Sequence, residues 1–292
     1  MLETPALVAH AADLELVIRH VLAGLGHGIH AGRERGAGVE FSEYRAYAPG
    51  DEWRRVDWKL LARADRYYVR EAERDSHVAV WLWLDATASM AERSRRVQGL
   101  DKFWFARTAL ACMAAIAQRQ GDAFGLVVCS DGRVDFTPAS RGPRQLQRVL
   151  AALQRARPVG VLPDADTLRA NLHFARSQSM VFAATDALDW PSPLSEALIR
   201  LRHMRHDVRL LALRTEAEAN AQLASGHAYR DPEAPSGLHS FDRDSRDAYR
   251  AALDEHFSAV RTATRRHDIP LCVAQVEQPL GEVLRAWLRN PR

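Results

Sequence analysis

Residues 78–84 read Val-Ala-Val-Trp-Leu-Trp-Leu, an unbroken apolar run that ends abruptly at Asp85. Seven apolar residues are too few to cross a bilayer, and their length suits a β-strand buried on both faces. In a parallel sheet, ligands bind just beyond the carboxyl ends of such strands, so Asp85 falls where a site is expected. Thr87 and Ser89 follow at the second and fourth positions after it. A carboxylate and two hydroxyls at that spacing can turn three hard oxygens toward one point, which is part of a divalent-cation site.

The chain beyond this strand alternates between strand-like and helix-like patterns. An apolar helical face over 103–119 precedes a Gly121-Asp122 break, and a second apolar strand covers 124–130. The Asp131-Gly132 dipeptide is a hairpin signal, so a short strand over 134–137 should run antiparallel to its predecessor. Helices are expected at 143–155 and 166–176, then a strand at 179–185 that ends in a second aspartate, Asp186. A helix at 194–204 and a strand at 208–213 follow. The stretch 216–242 is looser, with Pro232, Pro235 and Gly237 suggesting an excursion or hairpin. A long amphipathic helix over 244–267, a strand at 271–276 and a helix at 280–288 close the chain. Alternation of this kind predicts a mostly parallel α/β sheet flanked by helices.

The first 77 residues differ. Leu14, Val17, Ile18, Val21, Leu22 and Leu25 have helical spacing, and residues 36–74 are polar, aromatic and rich in glycine, proline and charge. Short strands are expected there at 39–42 and 67–71. The division is therefore a helix with a small β-rich subdomain over 1–77 and an α/β domain over 78–292.

Composition narrows the function classes. The 292 residues are 47% hydrophobic and 26% charged, ordinary for a globular protein, and the net charge is only +3. No basic cluster is interleaved with stacking aromatics, so nucleic acid is not an expected partner. The start of the chain carries neither a basic leader nor a long apolar segment, so a cytoplasmic location without membrane insertion is expected. Cys112, Cys129 and Cys272 are scattered in apolar surroundings and read as reduced core thiols. His203 and His206 stand three apart without a zinc-binding pattern and read as surface residues. No Gly-x-x-x-x-Gly-Lys-Ser/Thr phosphate loop is present, so the chain does not read as an ATPase.

Asp85-x-Thr87-x-Ser89 resembles the metal-ion-dependent adhesion site of von Willebrand factor A-type domains, whose first element is Asp-x-Ser-x-Ser. Thr87 keeps the hydroxyl of the middle serine and adds a methyl group that needs room beside a metal. The resemblance implies a strand-terminal carboxylate, matched by Thr185-Asp186, and a threonine from a later loop. Thr167 is the candidate for that ligand, while alignment on the leucines puts Asp166 in register, so the choice between them stays open. The alternative is that Asp85, Thr87 and Ser89 cap the following segment and satisfy loop amides.

A longer signature lies upstream: Gly38-Val39-Glu40-Phe41, Tyr47-x-Pro49-Gly50-Asp51 and Arg54-x-x-Asp57-Trp58-Lys59, in that order. It resembles the bacterial family known as domain of unknown function 58, in which such a stretch precedes a von Willebrand A-like domain. Its matched charges read best as an ion-paired structural staple. The resemblance implies a non-enzymatic, metal-dependent interaction module holding Mg²⁺, or Mn²⁺ or Ca²⁺ in its place, that captures a partner's acidic side chain. It also implies a partner, a MoxR-type AAA+ ATPase served in complex assembly or chaperone-like work. The competing expectation is a Mg²⁺-dependent phosphohydrolase of the haloacid-dehalogenase type with Asp85 as nucleophile. Asp186 and Asp189 would then imitate its metal pair, but Thr87 stands where the general acid belongs.

Overall fold

A computed structural model describes residues 14–29, 43–46, 67–71, 79–174, 178–222, 227–234, 238–241 and 243–289. The chain divides into two compact units: Gly28–His77, and the remainder. The helix α1 (Leu14–Ile29) thus belongs for most of its length with the α/β unit rather than with the β-rich segment, and its Leu14, Val17, Ile18, Val21 and Leu22 are buried. In the smaller unit, β1 (Glu43–Ala46) pairs antiparallel with β2 (Tyr68–Glu71). The expected strand at 39–42 and the Arg54 to Lys59 part of the upstream signature lie outside the described residues.

The larger unit is built on a six-stranded sheet. Its strands are β3 (Ala79–Asp85), β4 (Phe124–Ser130), β5 (Arg133–Ser140), β6 (Ser179–Thr185), β7 (Asp207–Arg214) and β10 (Leu271–Gln275). Their order is β10-β7-β6-β3-β4-β5. All neighbours are parallel except β4 and β5, which the Asp131-Gly132 turn joins as an antiparallel hairpin. The central strands are buried on both faces, as their uninterrupted apolar sequences require. β5 is longer than its apolar stretch suggests and stands at the sheet edge, where one face meets solvent.

The helix α2 (Lys102–Gln120) begins where Asp101 accepts a hydrogen bond from the Trp104 amide, at 2.6 Å, and ends at Gly121 with φ 75°. It is buried on nearly every face. The helices α3 (Pro143–Arg155) and α5 (Pro193–His203) match the expected segments. Between them α4 is shorter than expected, Ala165–Ala170, and passes into a 3₁₀ turn at Asn171–Phe174. The reason is local: Asn171 donates its side-chain amide to the Thr167 carbonyl at 2.8 Å, giving the backbone an alternative to further α-helix.

The loose stretch resolves into a one-turn helix α6 (Glu216–Ala219) and a hairpin of β8 (His227–Arg230) with β9 (Leu238–Phe241). α7 (Arg243–Arg266) and α8 (Leu280–Leu288) complete the helical layers. His206 corrects the surface reading: it is buried, and its Nδ1 accepts the Ser179 amide at 3.1 Å, pinning the start of β6. Cys112 and Cys129 are buried free thiols, and Cys272 is half-buried. Among the described residues no helix is long and apolar enough to cross a membrane.

Candidate functional site

The strand order places one crevice before any side chain is considered. From β3 the chain moves outward to β4 and β5, then returns to the other side of β3 with β6, so β3 and β6 flank the switch point of the sheet. Their register sets Leu84 opposite Ala184, which brings Asp85 and Thr185 side by side at the carboxyl edge.

Asp85 is almost wholly buried there and is held by hydroxyls and one amide. Thr185 Oγ1 donates to Asp85 Oδ2 at 2.6 Å. The Thr87 amide and Oγ1 donate to Asp85 Oδ1 at 3.0 and 2.8 Å. The Thr87 and Ser89 hydroxyl oxygens lie 3.2 Å apart. The capping alternative is met only in part: Asp85 satisfies the Thr87 amide, but Thr87, at the cap position of the 3₁₀ turn Ala88–Ala91, makes no side-chain cap bond. Its hydroxyl turns back to Asp85 instead.

No cation is paired with Asp85 among the described residues. Burial, and then the nearby Asp186 charge, push its pKa up to about 7, against the lowering effect of the Thr185 and Thr87 hydrogen bonds. Asp186, at the end of β6, is neutralised differently. Lys102 Nζ donates to Asp186 Oδ2 at 2.7 Å and to Glu218 Oε1 at 3.0 Å, with the lysine side chain 1% exposed. Burial alone would lower the Lys102 pKa, yet the two carboxylates outweigh it and raise it above the ordinary lysine value.

Sequence reasoning missed Lys102. The signal was its position: a lysine in the first turn of a helix opposes the helix dipole and needs a nearby carboxylate to justify it.

Asp85, Thr87, Ser89 and Asp186 line one small cleft together with Asp189, Glu233 and Leu162. The other two candidates are placed elsewhere. Asp166 is exposed and pairs with Arg169 at 2.8 Å, and the Thr167 amide binds Asp164 Oδ1 at 2.7 Å as part of the α4 cap. Neither lines the cleft. The loop beside the Asp85 turn is an earlier one, around Val159 to Leu162: Val159 N donates to Ala86 O at 2.9 Å, and Ala88 N to Gly160 O at 2.9 Å. It brings the apolar Leu162 to the cleft in place of a loop hydroxyl.

In turn, Glu233, from the segment linking β8 and β9, accepts the Ser89 amide at 3.3 Å. Asp189 at the mouth is pushed up to about 6 by burial of its carboxyl and by the charges of Glu233, Asp186 and Asp231. Carboxylates crowd this cleft beyond what Lys102 balances.

This donor set fits a hard divalent cation. Among the described residues no three carboxylate, imidazole or thiol side chains converge as a complete ligand set. Hydroxyls and water would have to complete the shell of such an ion, and the Thr87 and Ser89 oxygens lie beside the buried Asp85. Thr87 stands where the competing phosphohydrolase reading needs a general acid, and its hydroxyl is committed to Asp85.

A mostly parallel sheet in the order 3-2-1-4-5-6, its third strand reversed and a hydroxyl-rich loop after its first, makes a doubly wound α/β domain. The family model described as "Protein of unknown function DUF58" matches residues 43–263, and the chain belongs to that family. It is 29% identical over 296 residues to Uncharacterized protein Rv1480 of Mycobacterium tuberculosis, covering 97% of this chain and 90% of that one. Uncharacterized protein Mb1516 of Mycobacterium bovis matches to the same extent. Among solved structures, BatB from Bacteroides thetaiotaomicron is 13% identical with a TM-score of 0.44, covering 71% of this chain and 97% of that one. The SpRpn10 VWA domain is 9% identical with a TM-score of 0.43, covering 71% and 93%.

Proposed function

We propose that this chain is a non-enzymatic protein-interaction module whose cleft holds a divalent cation and grips an acidic side chain of its partner. The observation that carries the reading is the state of Asp85: a buried carboxylate at the switch point, ringed by hydroxyls and without a cation among the described residues. Asp85, Thr87 and Ser89 would hold the ion, with Asp186 behind them fixed by Lys102. Mg²⁺, or Mn²⁺ or Ca²⁺ in its place, would supply an oxygen-seeking centre with an open position for a carboxylate.

Val159, Val161 and Leu188 are exposed apolar residues on the loops at this edge, and they offer contact area around the polar centre. The proposed partner is a MoxR-type AAA+ ATPase, carried from the family resemblance, and the proposed setting is the cytoplasm.

The test is a thermal-shift series in Mg²⁺ and EDTA together with a pull-down from lysate read by mass spectrometry. Wild type should gain stability with Mg²⁺ by mass action and enrich an AAA+ ATPase only when Mg²⁺ is present. Asp85→Ala should fold and show neither effect. Equal enrichment by wild type in EDTA and by Asp85→Ala would place the gripping surface elsewhere. Phosphatase turnover present in wild type and lost in Asp85→Ala would establish the hydrolase instead.

A further inference from the structure

Glu233 is an acidic side chain in a cleft already crowded with carboxylates, and it arrives from a segment distant in sequence. Its Oε1 accepts the amide of Ser89, one of the residues proposed to hold the cation. It shares the cleft with Asp85, Thr87 and Asp189. Without a cation such a placement is unfavourable, because the like charges of Asp189 and Glu233 repel within one small cleft. With a cation in the cleft the same placement becomes favourable, since a carboxylate at the mouth is what an open coordination position accepts.

The Glu233 amide donates to Asp231 Oδ1 at 2.9 Å, a local turn that sets the direction of the side chain. Arg95, on the loop after the 3₁₀ turn, reaches the Gln222 carbonyl and, at 3.3 Å, the Tyr229 hydroxyl. From 228 to 234 every residue is exposed or half-buried.

We infer that Glu233 is a self-ligand of the cleft, filling the position of the partner's acidic side chain until that partner displaces it. The inference rests on the reading of the cleft as a carboxylate-capturing site. It adds a threshold: a tethered carboxylate competes at an effective concentration of order millimolar, so a weak acidic ligand is refused and a partner with further contacts is admitted.

The experiment uses the full chain and a defined probe, acetyl-Glu-Glu-Glu-amide, titrated calorimetrically in millimolar Mg²⁺ and in EDTA. Glu233→Ala removes the competitor, and Arg95→Ala frees the strap without touching the cleft. Both should bind the peptide more tightly than wild type in Mg²⁺, Glu233→Ala by about tenfold, and neither should bind it in EDTA. Amide exchange supplies a readout free of peptide: the Ser89 amide should lose protection in Glu233→Ala. If wild type and both variants bind the peptide equally in Mg²⁺, the self-ligand is disproved and the cleft reading stands. Weaker binding by Glu233→Ala would make Glu233 part of the partner-binding surface and overturn the inference. Failure of all three proteins to bind in Mg²⁺ would overturn both readings.

Discussion

Lys102 Nζ lies 2.7 Å from Asp186 Oδ2, and both side chains are buried at the carboxyl edge of the sheet. A fixed ammonium therefore neutralises the second strand-terminal carboxylate, whereas the equally buried Asp85 has no such cation among the described residues. Removing one partner of a buried pair is costly because the other stays buried and unpaired, by roughly 3–5 kcal/mol. Lys102→Met should lower the unfolding free energy by that order. Added Mg²⁺ should recover part of the loss, because the cleft then offers the ion two uncompensated carboxylates. Chemical denaturation in EDTA and in Mg²⁺ measures both effects, and a variant as stable as wild type would show the pair to be dispensable.

The Asp85 pKa yields a pH dependence whose sign is fixed. Its folded value of about 7 lies above the ordinary 3.8, so the folded state holds the proton more tightly than the unfolded chain. That contribution to stability is complete below the ordinary value and is lost as pH rises through about 7. In EDTA the melting temperature should therefore fall between pH 4 and pH 7, and Asp189, raised to about 6, adds to the same slope. Asp85→Asn should flatten most of it. Mg²⁺ should bind more weakly as pH drops below about 7, since binding must release the proton. A wild-type stability that rises over this range in EDTA would contradict the assignment.

Much of the fold was legible because it rests on period and punctuation. Apolar runs bounded by glycine or aspartate marked β3, β4 and β6, and the Asp131-Gly132 turn marked the antiparallel β5. Asp85 and Asp186 could be placed at one edge because both end buried strands. The remainder depended on contacts distant in sequence, which no local pattern records. Lys102 meets Asp186 across 84 positions, and Glu233 meets Ser89 across 144. The loop candidates Asp166 and Thr167 were aligned on leucines, whereas the loop at the cleft is positioned by backbone hydrogen bonds of Val159 and Gly160.

Gly160 ties that loop to the site through its carbonyl, and its φ of 68° lies in the left-handed region. A Cβ there would also overlap the Asp131 backbone and carboxylate. Gly160→Ala should destabilise by about 1–3 kcal/mol and weaken Mg²⁺ binding, because the loop must move off Asp131 and its carbonyl contact with the Ala88 amide is disturbed. Differential scanning fluorimetry across a Mg²⁺ titration separates the two consequences, and an unchanged Mg²⁺ response would uncouple the loop from the cleft.

Ser89 and Thr87 offer hydroxyls to the same point from different surroundings, so they separate ligation from folding. Thr87 is buried and its hydroxyl donates to Asp85, whereas Ser89 is half-buried and its nearest recorded side-chain partner is Thr87 itself. Thr87→Val keeps the shape but leaves Asp85 Oδ1 with only the Thr87 amide, which should cost about 1–3 kcal/mol even in EDTA. Ser89→Ala deletes a partly solvated hydroxyl and should leave stability in EDTA within about 0.5 kcal/mol of wild type. Both substitutions should remove most of the thermal shift produced by Mg²⁺. Urea titrations of the two variants in EDTA, set beside their Mg²⁺-dependent melting shifts, give four numbers. A Ser89→Ala protein that keeps the full Mg²⁺ shift would remove Ser89 from the ligand set, whatever Thr87→Val does.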